Sequence, residues 1–173
     1  MSEPGSEAWY ASVSEEIIDP DRPIIDPHHH LWSVKTMFGK YELSNLWQDT
    51  DSGHNIEKTV FIDCHSNYRK DGPLHLRPVG ETEYVAEVAA QSAAQAGKAD
   101  IAGIVGHANM ELGAAAEEVL LAHEAAGNGL FRGIRHAGAS DDSGALSISG
   151  GAAADLYARP EFRAGITKLG EMG

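Results

Sequence analysis

The sequence has a single cysteine and no long apolar run. Cys64 is the only cysteine among 173 residues, so no disulfide can form within the chain, which fits a reducing compartment. No apolar stretch approaches the roughly 18 residues that suggest a membrane-spanning helix. The N-terminus lacks a basic segment followed by an apolar core, so no secretory signal is expected. We therefore expect a cytoplasmic protein with no membrane partner.

Basic residues are also scarce. Only 13 Lys and Arg stand against 26 Asp and Glu, which gives a formal net charge of −13. Such a surface repels phosphate backbones, so we expect no nucleic-acid partner. A small anionic substrate stays possible, because a local basic pocket can outweigh a distant net field. The length, with 42% hydrophobic and 23% charged residues, is typical of one globular domain.

Short β-branched runs alternate with helical patterns along most of the chain. Residues 1–22 are polar and acidic, and we interpret them as an N-terminal arm with a short helical turn at 14–17. The predicted strands are 24–26, 59–64, 101–105 and 131–135, and the predicted helices are 43–49, 81–96, 113–126 and 161–169. The Ser/Gly/Ala-rich segment 143–154 is predicted to be a loop. This alternation predicts an α/β fold built from parallel βαβ units.

The first predicted strand runs into three consecutive histidines. Asp26, His28 and His30 alternate along the chain, and alternate side chains of a strand share one face. Two neutral imidazoles on one face can bind a metal ion or polarise a substrate oxygen. A loop or a solvated histidine cluster is the alternative interpretation of this spacing.

The other predicted strands also end in polar side chains. His65 follows the second strand, His107 and Asn109 follow the third, and Arg135 and His136 end the fourth. Reactive groups gather at the carboxyl ends of strands both in (β/α) barrels and in open doubly wound sheets. We therefore expect these side chains to meet at one edge of the sheet.

The loop after the second strand is long and basic. Tyr68, Arg69, Lys70, His75 and Arg77 lie in it, and arginine is suited to bidentate capture of a carboxylate. A solvated surface loop is an equally good interpretation.

Two further reactive side chains have simpler interpretations. His123 lies within a predicted helix, and we interpret it as an exposed residue. We interpret Cys64 as a structural thiol.

Taken together, these segments resemble the amidohydrolase-related family, also called amidohydrolase family 2. The first-strand motif is Asp26-Pro-His28-His-His30-Leu-Trp32. The resemblance continues from about residue 9 through most of the chain, in Thr59-Val-Phe-Ile-Asp-Cys64, Gly72-Pro, Arg77-Pro-Val-Gly-Glu-Thr-Glu83, Gly103-Ile-Val-Gly-His107-Ala, Ala126-Gly-Asn-Gly and Phe131-Arg-Gly-Ile-Arg-His136. Only the joint pattern is specific. The branch that contains pyrone-dicarboxylate lactonase and sugar-lactone hydrolases is the most similar.

This resemblance implies a (β/α)₈ barrel that hydrolyses a lactone or a related ester of an organic or sugar acid. His28 and His30 match the family's first-strand histidine pair, which binds a divalent ion such as Zn or Mn in some members and contacts substrate in metal-free ones. We therefore expect His28, His30 and His107 to be catalytic, with His28 and His30 as metal ligands. The expected substrate-binding residues are His65, Tyr68, Arg69, Arg135 and His136.

The chain departs from the family in length, since a whole barrel needs about 250 residues. Residues 23–173 are expected to form the first four βα units, with the general base among later strands. A half-barrel leaves two sheet edges unpaired, which favours self-association or a need for the other half. We therefore expect a fragment with little activity of its own. The alternatives are an amidohydrolase-type decarboxylase acting on an unsaturated or aromatic acid, and an inactive or partner-dependent half-barrel.

Overall fold

The structure is a computed structural model that describes residues 6–36, 39–140 and 153–173. Its strands are β1 (Ile24–His29), β2 (Trp32–Thr36), β3 (Gly39–Tyr41), β4 (Ile56–Ile62), β5 (Asp100–Gly106) and β6 (Phe131–Ile134). Its α-helices are α1 (Glu7–Tyr10), α2 (Leu43–Thr50), α3 (Val79–Ala93), α4 (Ala116–Ala126) and α5 (Pro160–Met172). Short 3₁₀ helices lie at Leu74–Leu76, Met110–Ala115 and Leu156–Ala158.

Four strands form a parallel sheet in the order β1-β4-β5-β6, which is also their order along the chain. Parallel neighbours need a long crossover, and α3 and α4 provide it for the last two pairs. The predicted α/β class with parallel βαβ units is confirmed. β2 and β3 form a separate antiparallel hairpin, which the sequence did not predict.

One face of the sheet is covered by a layer of helices. α3 packs against β5 and α4, and α4 packs against α5. Phe61 of β4 and Ile104 of β5 are completely buried, in a core cluster that includes Val85 and Val88 of α3. A second cluster joins α4 to α5 through Val119, Leu120 and Phe162, among others. The strands therefore sit on a packed helical support that fixes where their carboxyl ends lie.

The opposite face of the sheet is more open among the described residues. Val60 is only partly buried and Arg132 is exposed, and a Cβ added at Gly103 would contact both side chains. Ile25 of β1 is 61% exposed. This half-open face contrasts with the buried face, where Phe61 and Ile104 contact helices.

Several predicted boundaries need correction. The short N-terminal helix is α1 at Glu7–Tyr10, whereas residues 14–17, where a helical turn was predicted, have no regular structure. α4 begins at Ala116 rather than 113, because Gly113 has a positive φ of 60° that breaks the helix. The predicted loop covers residues 143–154, and its first ten residues, 143–152, lie outside the described part of the chain. Within the described ranges no helix is both long and apolar enough to span a membrane.

Gly106 at the end of β5 allows a close approach between the sheet and α4. An added Cβ would lie 2.9 Å from Cε1 and Nδ1 of His123 and 3.2 Å from Oγ1 of Thr82. We expect Gly106→Ala to lower the free energy of unfolding by about 1–3 kcal/mol, measured by urea denaturation, because this site is already filled. Gly170→Ala is the control, since a Cβ there meets nothing within 4 Å, and it should stabilise α5 by about 0.5–1 kcal/mol. Equal effects of the two substitutions would contradict the close packing.

Candidate functional site

The polar strand ends meet along the carboxyl edge of the parallel sheet. The ring centroids of His65 and His107 are 5.2 Å apart, and those of His107 and His136 are 5.9 Å apart. At the β1 end, the His28 and His30 rings are 4.9 Å apart. The Nδ1 of His30 bonds to the carbonyl oxygen of Ile62 at the end of β4, which joins this pair to the next strand. Four strand ends thus contribute to one continuous polar surface.

The His28–His30 pair has a geometry that fits a metal ion. Because Nδ1 of His30 donates to the Ile62 carbonyl at 2.8 Å, its Nε2 carries the lone pair of the ring. That Nε2 lies 3.3 Å from Nε2 of His28. Two nitrogens at about 2.1 Å from one tetrahedral ion would be about 3.4 Å apart. Burial lowers the pKa of His30, which keeps its ring neutral and able to coordinate.

A cavity of about 300 Å³ lies beside this pair. That volume is at the small end of the range for ligand pockets, roughly 300–1,000 Å³. Its lining includes His29, Trp32, Tyr41 and Asp49. His29 is 7% exposed, and both of its ring nitrogens are buried with no hydrogen-bond partner among the described residues. Burial lowers the pKa of His29 to about 4, so its ring is neutral at pH 7.

Two carboxyl groups, Asp63 and Glu81, are buried together behind the strand ends, and each is only 1% exposed. Oε1 of Glu81 accepts the backbone N–H of Ser66 at 2.6 Å and that of Cys64 at 3.3 Å. Burial and the hydrogen bond with Asp63 raise the pKa of Glu81. Burial alone would raise the pKa of Asp63, but the hydrogen bond from Glu81 and the electrostatic interaction with His65 lower it overall. Glu81 therefore keeps the proton and donates it to an ionised Asp63.

Asp63 also orders the residues in front of it. The Tyr68 hydroxyl donates to its Oδ1 at 2.9 Å, and Nε2 of His65 lies 3.4 Å from its Oδ2. Arg135 donates from Nη2 to the Asp63 main-chain oxygen and lies 3.5 Å from Oδ2. One ligand atom from each of Asp63, His65 and His107 lies within 4.8 Å of the others, so this group could hold a metal ion.

His123 corrects one expectation, because it is completely buried rather than exposed. The Thr82 hydroxyl donates to its Nδ1 at 2.8 Å, and its Nε2 donates to the carbonyl of His107 at 3.0 Å. Its ring also stacks on Phe131 at 5.2 Å. The sequence did contain the signal, since Ala116, Val119, Leu120 and His123 follow the spacing of one buried helix face. His123 thus supports the β5 end from behind.

The remaining predicted site residues divide into two groups. Tyr68 stacks on His65 at 5.7 Å, and His136 accepts the Met110 backbone N–H at Nδ1, at 3.1 Å, so its Nε2 carries the hydrogen. Tyr68 and His136 therefore both belong to the polar surface that the strand ends form. Arg69 instead forms an ion pair with Glu83 of α3.

Two other side chains of this region have structural roles. His75 contacts Glu118 at 3.1 Å. Burial raises the pKa of Cys64 to about 11, which agrees with a structural thiol.

The sequence interpretation missed Asp63, Glu81 and His29. Asp63 follows directly after the β4 run, so its place at a strand end was a usable signal. Nothing in the pattern around Glu81 distinguishes it from the exposed acids of the same helix.

The chain was compared with protein-family models, with curated proteins and with solved structures, and none of them matches.

Proposed function

We propose that the four-stranded sheet is the first half of an amidohydrolase-type (β/α)₈ barrel. The support is its strictly sequential parallel order, which lacks the reversal of strand order found in doubly wound sheets. Helices cover one face, while Val60 and Arg132 lie on a more open one, as the interior of an unclosed barrel would. The polar residues stand at the carboxyl ends of the strands, where barrel enzymes place their chemistry.

We further propose that this site hydrolyses a lactone, or a related ester, of an organic acid. The observation that supports this most is the convergence of the His28–His30 pair with Arg135 and His107 on one edge. Such a set offers imidazole nitrogens that can bind a metal ion and a guanidinium for a carboxylate. The adjoining cavity of about 300 Å³ suits a small ring.

Each side chain has a definite task in this proposal. When bound by His28 and His30, a divalent ion supplies Lewis-acid polarisation of the carbonyl and a more acidic water. Arg135 is held by the Asp63 main chain with 40% of its side chain exposed, so it can bind the substrate carboxylate. The Nε2–H of His136 can donate to an oxyanion. The general base is expected on a later strand of the barrel, as the family resemblance implies.

The test is an assay of the complete reading frame with pyrone dicarboxylate, in which lactone absorbance and CO₂ are followed in the same sample. We expect ring-opened acid without CO₂. We also expect His30→Asn to lower kcat/KM by at least about 100-fold, as loss of a metal ligand does. His54→Asn, an exposed histidine at the opposite end of β4, should leave the rate unchanged. CO₂ release would instead favour a decarboxylase, and an unchanged rate in His30→Asn would contradict the proposed site.

A further inference from the structure

We propose that Asp63, His65 and His107 bind a divalent transition-metal ion at a site separate from the His28–His30 pair. This inference rests on the geometry of the three side chains and does not depend on the proposed reaction. The group lies across the ends of β4 and β5, whereas the pair lies at the end of β1.

Each of the three residues has a donor atom that its surroundings leave open. Oδ2 of Asp63 is buried, and no N–H or hydroxyl group of the described residues donates to it. Nδ1 of His107 donates to the Arg135 carbonyl at 2.9 Å, which leaves the Nε2 lone pair free. Nε2 of His65 lies 3.4 Å from the open Oδ2. An ion at this position would contact the buried Oδ2 of Asp63 directly.

The second layer of contacts is already in place. Tyr68 and Glu81 orient the Asp63 carboxylate, and His123 donates to the main chain of His107. His65 has a positive φ of 61°, a backbone conformation that is uncommon for a residue other than glycine. This conformation places its imidazole next to Asp63. Outer contacts of this kind are typical of metal centres, where they fix the orientation of the ligands.

The donor set indicates the class of ion. Two imidazoles and one carboxylate are the three protein ligands of many catalytic zinc sites, and they also suit ferrous iron. Ligand distances of about 2.1 Å would require the donor atoms to move together by roughly an ångström. The His65 side chain is 59% exposed and is free to make that movement.

Arg135 is the group that opposes the ion. Its guanidinium lies 3.5 Å from Oδ2, so it competes with a cation for the same carboxylate. Removing that charge should therefore tighten metal binding, a result that a purely structural role for the three ligands would not produce. We expect Arg135→Gln to bind zinc about tenfold more tightly than the parent chain, a change typical of one nearby charge at short range.

The experiment is calorimetric titration of the metal-free chain with Zn²⁺, followed by the same titration of single variants. His65→Asn keeps a residue that tolerates positive φ, and it should weaken one Zn²⁺ site by at least about tenfold. His107→Gln should weaken the same site. His54→Asn is the matched exposed control, and His28→Asn reports on the other pair; both should leave this site unchanged. Circular dichroism without metal verifies that each variant is folded.

Three results would overturn the proposal. The first is a parent chain that binds no Zn²⁺. The second is binding that His28→Asn weakens while His65→Asn does not, which would locate the ion at the first-strand pair alone. The third is equal weakening by both substitutions, which would indicate one shared ion rather than a separate site.

Discussion

Glu81→Gln should fold with a stability within about 1 kcal/mol of the parent protein at pH 4.5, where the acid keeps its proton, whereas Glu81→Leu should lose about 3–5 kcal/mol there. Glutamine reproduces the protonated acid, because its amide oxygen can accept the N–H groups of Ser66 and Cys64 while its NH₂ donates to Asp63. Leucine provides neither, and so it leaves two buried backbone donors without a partner and removes one hydrogen bond from the ionised Asp63. Urea denaturation of the three proteins measures the difference.

The pKa of Glu81 also predicts how the free energy of unfolding changes with pH. The pKa of Glu81 in the folded protein is raised above its usual 4.5, so the protonated form stabilises the fold. That contribution is complete below pH 4.5 and is lost as the pH rises toward the folded pKa. Because glutamine does not titrate, the Gln variant should gain stability relative to the parent as pH rises. A Gln variant as unstable as the Leu variant would contradict the shared proton.

His29 should make the fold acid-sensitive. Burial lowers its pKa from 6.5 to about 4, so the unfolded chain binds a proton more tightly than the folded one. The stabilisation from the neutral ring is present above pH 6.5 and is lost as the pH falls from 6.5 toward 4. Between pH 7 and pH 5, this one group should cost about 2 kcal/mol of unfolding free energy.

Substitution of His29 tests this assignment. His29→Leu replaces two unpartnered buried nitrogens with apolar atoms, so the variant should lose less stability than the parent when both are moved from pH 7 to pH 5. His54→Leu, at an exposed site, should keep the parent's pH dependence. Parallel pH–stability curves for the parent and His29→Leu would show that protonation of His29 does not cause the loss of stability in acid.

The sheet could be predicted because its strands have strong local signals. Thr59–Ile62 and Ile101–Val105 are β-branched runs between Gly- or Asp-containing segments, and parallel pairing follows from the helices between them. The convergence of His65, His107 and His136 then follows from topology, since parallel strands end at the same edge. Helix boundaries were less accurate, because a break such as Gly113 depends on a backbone angle rather than on composition.

The buried chemistry was not predictable in the same way. His123 and Glu81 both lie in helices that contain other, exposed, acids and polar residues, and their burial depends on which helix face meets the sheet. The proton that Glu81 shares with Asp63 depends on a contact between residues from different elements. His29 lies between His28 and His30 in the sequence. Its ring is buried because it packs against Phe61, and its position in the sequence does not indicate that burial.

The most direct test of the central claim is an NMR titration of the nine histidine rings with pyrone dicarboxylate. The claim is that the strand ends form one site for a small anionic ring. It predicts that the ring signals of five histidines shift together with one dissociation constant, namely His28, His30, His65, His107 and His136. The signals of His54, His75 and His123 should stay in place. Shifts scattered over all the rings, or none at saturating ligand, would contradict the claim.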